Sequence, residues 1–277
     1  MVDDRGSLRG RLPLVEVLKA KADASVEEIM QEAVAVRVDT DQEQVAQAIS
    51  KYDLLAVPVV DPRGRIVGIV TVDDVVDVLT EEATEDAQMQ GAIQPLEDPY
   101  FHTGFWEMAR KRGVWLLVLF LGELFTGTAL RHFNSVLEHT LNLVFFIPLI
   151  ISSGGNSGSQ SASLITRALA VGEVSVRDAL RIAGREIGMG FALGCALGAV
   201  GYFRAMLWHS TAAICLTVSL TLVGVVTAGS LVGAMLPLFF KRIGLDPAIT
   251  SSPFIASLVD VTGIVLYLTI ARLILGL

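Results

Sequence analysis

One acidic residue stands alone in an otherwise apolar stretch. Asp260 lies seven residues into the last long apolar run, within SSPFIASLVDVTGIVLYL. A carboxylate at the centre of a membrane helix costs roughly 2.5–3.5 kcal/mol on insertion scales. It therefore requires a partner, a proton, or water and ions. No basic residue stands within two helical turns of it. Ser252, Ala256 and Asp260 recur at i, i+4 and i+8, and Gly263 follows, so one helix face is small and polar around the carboxylate. That face suits a hydrated cation, because Mg²⁺ sheds its water reluctantly and is held through one or two carboxylates. The competing reading is a hydrogen bond from Asp260 to a neighbouring helix.

Other polar residues stand in apolar surroundings. Glu123 lies in the first apolar run with no evident partner, and Glu186 is expected to reach the interface at the cytoplasmic end of the third. The stretch Gly154-Gly155-Asn156-Ser157-Gly158-Ser159-Gln160 lacks the Gly-Lys-Ser/Thr ending of a phosphate loop. Its glycines allow close helix approach, and Asn156 and Gln160 can offer oxygens to a hydrated ion. Outside the apolar part, Asp74, Asp77, Glu81 and Glu85 share one side of a predicted helix, with Asp73, Glu82 and Asp86 beside them. Carboxylates on one stripe repel, and a divalent ion removes the repulsion. A plain solvated face is the alternative.

The elements that carry these residues divide into two parts. The chain has 277 residues, 52% hydrophobic, with a mean hydropathy of +0.59. Residues 1–112 carry 22 acidic and 12 basic side chains, and residues 113–277 carry 7 and 9. An acidic soluble part thus precedes a membrane part, and no nucleic acid is expected as a partner. Residues 1–20 have no apolar core segment of a signal peptide. Cys195 and Cys215 read as small apolar packing residues.

Five runs reach spanning length: Val114–Leu130, Leu141–Leu169, Ile187–Met206, Ala212–Phe240 and Pro253–Leu275. The second and fourth are long enough to be tilted or broken, and SSGGNSGSQSAS in the second predicts a break buried in protein or lining a wet cavity. Arg110, Lys111, Arg112, Arg167, Arg177, Arg181, Arg185, Lys241 and Arg242 fall on one side, against Arg131 and Arg204 on the other. That bias predicts a cytoplasmic soluble part, an outward C-terminus and a multi-pass protein of the cell (inner) membrane.

The soluble part contains a repeat. VDDRGSLRGRLPLVEVL (Val2–Leu18) matches VDPRGRIVGIVTVDDVV (Val60–Val76) at an offset of 58 residues. The second copy is complete and the first is only a tail, so the sequence is expected to begin inside a module. Strands are predicted at Val34–Val38, Leu55–Val60 and Ile66–Thr71. Helices are predicted at Asp41–Lys51, capped by Asp39 or Thr40, and from Val72 onward through the acidic stretch. With LLAVPVVDPRGRIVGIVTVDDV, this order resembles a cystathionine-β-synthase (CBS) domain, a module that pairs and often binds adenine nucleotides. The resemblance implies that Thr71 and Asp74 hold the ribose of a nucleotide such as ATP; the first copy has Pro13 and Glu16 at those places.

PLIISSGGNSGSQSASLITRAL, GSLVGAMLPLFFKRIGLDPAITSSPFIASLVDVTG and the CBS repeat followed by an acidic helix together resemble the MgtE family of Mg²⁺ channels. The resemblance implies a five-helix membrane domain (113–277) behind an α+β CBS-type domain. That domain comprises a remnant of a first module (1–20) and a second module (21–80), and an acidic plug helix and linker (81–112) connects it to the membrane domain. It implies a homodimer with its pore on the two-fold axis. Asp260 would meet hydrated Mg²⁺ there, beside Ala256 and the Gly154, Gly155, Asn156 region. It also implies that Mg²⁺ held by Asp74, Asp77, Glu81, Glu82, Glu85, Asp86 and Asp246 closes the pore. Ser252 departs from the asparagine of the family's pore, and transport of Co²⁺ or Mn²⁺ is the alternative. An anion carrier would want basic groups in the membrane, and an intramembrane aspartyl protease two aspartates sharing a proton. Asp260 is the only aspartate that lies deep, so the chain reads as a transporter and not an enzyme.

Overall fold

The computed structural model describes residues 1–21 and 23–276. It divides into two compact units, Met1–Thr84 and Glu85–Leu277.

The first unit carries α1 (Leu14–Lys19), α2 (Val26–Ile29), β1 (Val36–Arg37), α3 (Gln42–Lys51), β2 (Ala56–Val60), β3 (Ile66–Thr71) and the start of α4 (Val72–Gln90). β1 pairs parallel with β2, which pairs antiparallel with β3. A parallel pair needs a crossover, and α3 supplies it. Val45, Ala46 and Ile49 of α3 pack with Val36, Val57 and Val75 into a small apolar core. β1 is two residues long, shorter than the strand expected from Val34 to Val38. The cap of α3 is Asp41, whose carboxylate accepts from the Glu43 amide at 2.9 Å. The two caps expected from the sequence are otherwise engaged: Thr40 accepts from the Arg37 amide and Asp39 pairs with the Arg37 guanidinium.

The repeat is visible as a local two-fold. Asp3 accepts from the amides of Arg5 and Ser7, and Asp61 from those of Arg63 and Arg65. Gly6 (φ +77°) and Gly64 (φ +76°) close the two turns in the left-handed region that glycine adopts freely. The turns then pair: the Leu8 amide donates to the Gly64 carbonyl and the Ile66 amide to the Gly6 carbonyl. Each residue in these bonds is 58 positions from its equivalent. Amide donors at Ser7 and Arg65 hold the Asp3 and Asp61 carboxyls below the usual carboxylate range.

The second unit is a helical bundle. α5 (Phe105–His132), α6 (Asn134–His139), a 3₁₀ turn (Leu141–Phe146), α7 (Ile147–Ala170), α8 (Ala179–Leu207), α9 (Ala212–Arg242) and α10 (Ser252–Leu275) follow in order. Five segments are long and apolar enough to cross a membrane: Phe105–His132, Leu141–Ala170, Val176–Leu207, Ala212–Arg242 and Ser252–Leu275. α9 is the centre, packed by α7, α8 and α10, and α5 lies against α10. In the first turns of α5, buried Lys111 donates to the Pro95 carbonyl at 2.6 Å and approaches Glu107 at 3.4 Å, tying the incoming segment to the helix.

The break predicted in the second apolar run is not where the glycines are. α7 is continuous through SSGGNSGSQSAS, and the irregular turn lies earlier, ending just before Pro148 in the helix's first turn. The small residues serve packing instead. Gly154 and Gly158 of α7 face Gly229 and Gly233 of α9 so closely that a side chain on any of them would strike the opposite helix. Where no hydrophobic effect draws helices together, such close approach supplies the attraction.

Candidate functional site

α10 is set by Ser251, whose hydroxyl caps its first turn by accepting from the Phe254 amide, and by Pro253 in that turn. Ile255, Val259, Gly263 and Tyr267 form its buried stripe, and the Tyr267 hydroxyl donates to the Leu143 carbonyl at 3.0 Å. That anchoring leaves Ala256 and Asp260 on the flank of the helix, half-buried, turned toward α7.

There the two helices nearly touch. A Cβ at Gly155 would stand 3.4 Å from the Ala256 backbone and 3.7 Å from the Asp260 carboxylate. A glycine there keeps α7 free of a side chain next to that carboxylate. One turn on, the Ser159 hydroxyl donates to the Ser252 carbonyl at 3.2 Å, pinning α7 to the start of α10. Gly155, Ala256 and Asp260 thus come together from two helices. Gly154 does not join them: it faces Val225 and Val259 in the bundle interior.

Asn156 is exposed, its amide reaching Ser152 at 3.4 Å. Ser152, Asn156 and Gln160 form an exposed polar stripe at i, i+4 and i+8 on α7. A membrane helix does not turn such a stripe to lipid; it is covered by protein or lines water.

Two membrane acids have surroundings that sequence reasoning missed. Glu186 is not extended to an interface: it accepts a 2.6 Å hydrogen bond from Ser161, one turn beyond the buried Ser157–Ser230 pair. Glu123 of α5 is exposed and lies one residue past Gly122, where α5 meets Ser257 of α10. The signal for both is the packing of separate helices, which linear spacing does not carry.

The acidic residues of α4 are spread along one helix. Asp74 accepts from the Thr71 amide at 3.1 Å and from the Thr71 hydroxyl at 2.8 Å, which joins the two expected nucleotide-binding residues. Asp77 and Glu81 are exposed, Glu82 accepts from Gln42, and Glu85 and Asp86 follow on the same helix. Asp246 caps the 3₁₀ turn Pro247–Ile249 by accepting from the Ala248 amide at 2.8 Å. Among the described residues of one chain, no three His, Cys, Asp or Glu side chains gather as a metal-holding group.

The comparisons with known proteins agree with this architecture. The MgtE family, described as a divalent cation transporter, matches residues 147–270, and the CBS domain matches residues 26–81. The chain is similar to the magnesium transporter MgtE of Thermus thermophilus, 43% identical over 276 residues, 99% of this chain and 61% of that one. It is also similar to the magnesium transporter MgtE of Enterococcus faecalis (31%; 99% and 60%) and of Bacillus subtilis (29%; 98% and 60%). It spans about three fifths of the length of these relatives. Among solved structures it is similar to the cytosolic domain of the Mg²⁺ channel MgtE in complex with ATP, at 52% identity, 28% of this chain and 32% of that chain, with a TM-score of 0.27. The soluble part of a magnesium transporter is another, at 43%, 30% and 32%, with a TM-score of 0.29. With a bundle of five apolar helices behind a CBS domain, the chain is similar to the MgtE magnesium transporters along nearly its whole length.

Proposed function

We propose that this protein carries Mg²⁺ across the membrane, and that Asp260 is the carboxylate that meets the ion. The observation that carries this reading is the approach of Gly155 to Ala256 and Asp260, which sets one half-buried carboxylate beside a side-chain-free face. A small-residue face beside one carboxylate suits an ion that keeps its water, as Mg²⁺ prefers. The exposed stripe Ser152, Asn156 and Gln160 supports a path between two copies of the chain. Across a two-fold axis Asp260 becomes a pair of carboxylates, and the polar stripe lies in water and not in lipid.

The soluble part would then face the cytoplasm and the C-terminus the outside. Carboxylates of α4, with Asp246, would bind Mg²⁺ when it is abundant and close the path. Thr71 and Asp74 would hold a nucleotide ribose. Conduction of Co²⁺ or Mn²⁺ remains the second reading, because oxygen ligands and retained water discriminate weakly among small divalent ions.

The test is Mg²⁺ uptake into liposomes by purified wild type, Asp260→Ala and Asp260→Asn. Both variants are expected to lose uptake, since the asparagine keeps shape and hydrogen bonding and loses charge. Uptake at the wild-type rate by Asp260→Ala would remove the reading.

A further inference from the structure

Glu123 is a mid-membrane acid with no hydrogen bond or ion pair to a described residue. Its position follows from how α5 meets α10. The two helices meet at Gly122, where a Cβ would stand 3.9 Å from the Ser257 Cβ. At about 100° per residue, Glu123 lies about 100° forward of that contact on α5, and Asp260, three residues past Ser257, lies about 60° behind it on α10. As the first and fifth of five successive crossings, the two helices run the same way. A forward rotation on one helix and a backward rotation on its parallel neighbour turn to the same side. Glu123 and Asp260 therefore share one side of the α5–α10 contact.

The opposite side checks this phase. Phe125 on α5 and Leu258 on α10 have the reversed rotations, and both line an apolar cavity of about 350 Å³ between the helices. Neither acid lines it.

A second observation lies beside Glu123. Thr126, one turn further on α5 and on the same side, is 7% exposed, and its hydroxyl has no partner among the described residues. Thr128, Thr217, Thr227, Thr262 and Thr269 each donate to the carbonyl four residues back, the usual refuge of a helical threonine. Thr221 on α9 is the other buried hydroxyl without a partner among the described residues; that of Thr126, on the side of Glu123, is one that a water of an ion's hydration shell would satisfy.

We propose that Glu123 is a second carboxylate of the ion path, standing beside Asp260 and setting how strongly the site prefers a divalent over a monovalent cation. This rests on the reading of Asp260 given above. Two bare carboxylates repel in a low-dielectric setting, and one divalent ion relieves that more fully than one monovalent ion. Mg²⁺ held through retained water does not require Glu123 to touch the metal.

The experiment measures Mg²⁺ influx into liposomes against Mg²⁺ concentration, with and without competing Na⁺, for wild type, Glu123→Gln, Glu123→Asp and Asp260→Ala. Glu123→Gln is expected to raise half-saturation about tenfold, the scale seen when a supporting group is removed from a metal site. It should admit Na⁺ as a competitor while the maximal rate stays near wild type. Glu123→Asp should restore both. Wild-type half-saturation and Na⁺ sensitivity in Glu123→Gln overturn the proposal. A maximal rate that falls alone, or a loss of monodisperse protein in both Glu123 variants, makes Glu123 a structural residue and overturns it as well. Uptake retained by Asp260→Ala would instead sink the Asp260 reading, which separates the two failures.

Discussion

Tyr267 shows at one residue how the path helix is held. Its ring is fully buried and its hydroxyl donates to the Leu143 carbonyl, joining α10 to the turn that precedes α7. Tyr267→Phe keeps the packing and orphans a carbonyl where water is scarce. The expected cost is about 0.6 kcal/mol, the mean for side-chain hydrogen bonds within a membrane protein. It should appear as a lower thermal midpoint in detergent, with Mg²⁺ half-saturation unchanged. A changed half-saturation would mean that Tyr267 also shapes the path. Asp260 stands out in the sequence because a lone charge in an apolar run has few explanations. Glu123 gives the same type of signal, and the helix that it flanks, α10, comes only with the packing of α5.

At the scale of elements, the α7–α9 crossing depends on the absence of side chains. Any Cβ at Gly233 meets the Gly158 backbone, whereas one at Gly127 on α5 meets nothing within 4 Å. Gly233→Ala should therefore destabilise by about 1–3 kcal/mol, the cost of overpacking a close contact. Gly127→Ala should be neutral or slightly stabilising by helix propensity. Thermal unfolding of the two variants in the same detergent checks this, and equal midpoints would contradict the packing account. The glycine-rich run was legible as unusual and its role was misread. Glycine raises the prior for a break, but a neighbouring helix at close range makes the same residues a contact face of an unbroken one. The helical periods of α3 and the apolar spans read correctly because local pattern determines them. The cap at Asp41 did not, because the rival oxygens of Asp39 and Thr40 are taken by Arg37.

For the whole molecule, the proposed function links the membrane path to ligands of the soluble unit. If Mg²⁺ on α4 closes the path, Asp77→Asn, Glu81→Gln and Glu85→Gln combined should shift inhibition of flux to higher Mg²⁺ on the soluble-unit side. An unshifted inhibition curve would argue for a solvated face only. If Thr71 and Asp74 hold a ribose, Asp74→Ala should weaken ATP binding in equilibrium dialysis and leave the fold of the unit intact. Sequence alone determined that a membrane helical domain follows an acidic α+β domain with an internal repeat. Composition, hydrophobic period and self-similarity are properties of the chain taken locally. The two-fold pairing of the Gly6 and Gly64 turns, the continuity of α7, and the meeting of Gly155, Ala256 and Asp260 were decided by tertiary structure. Each is set by which helix faces approach, and at what rotation, and those depend on the side chains of distant segments packing together.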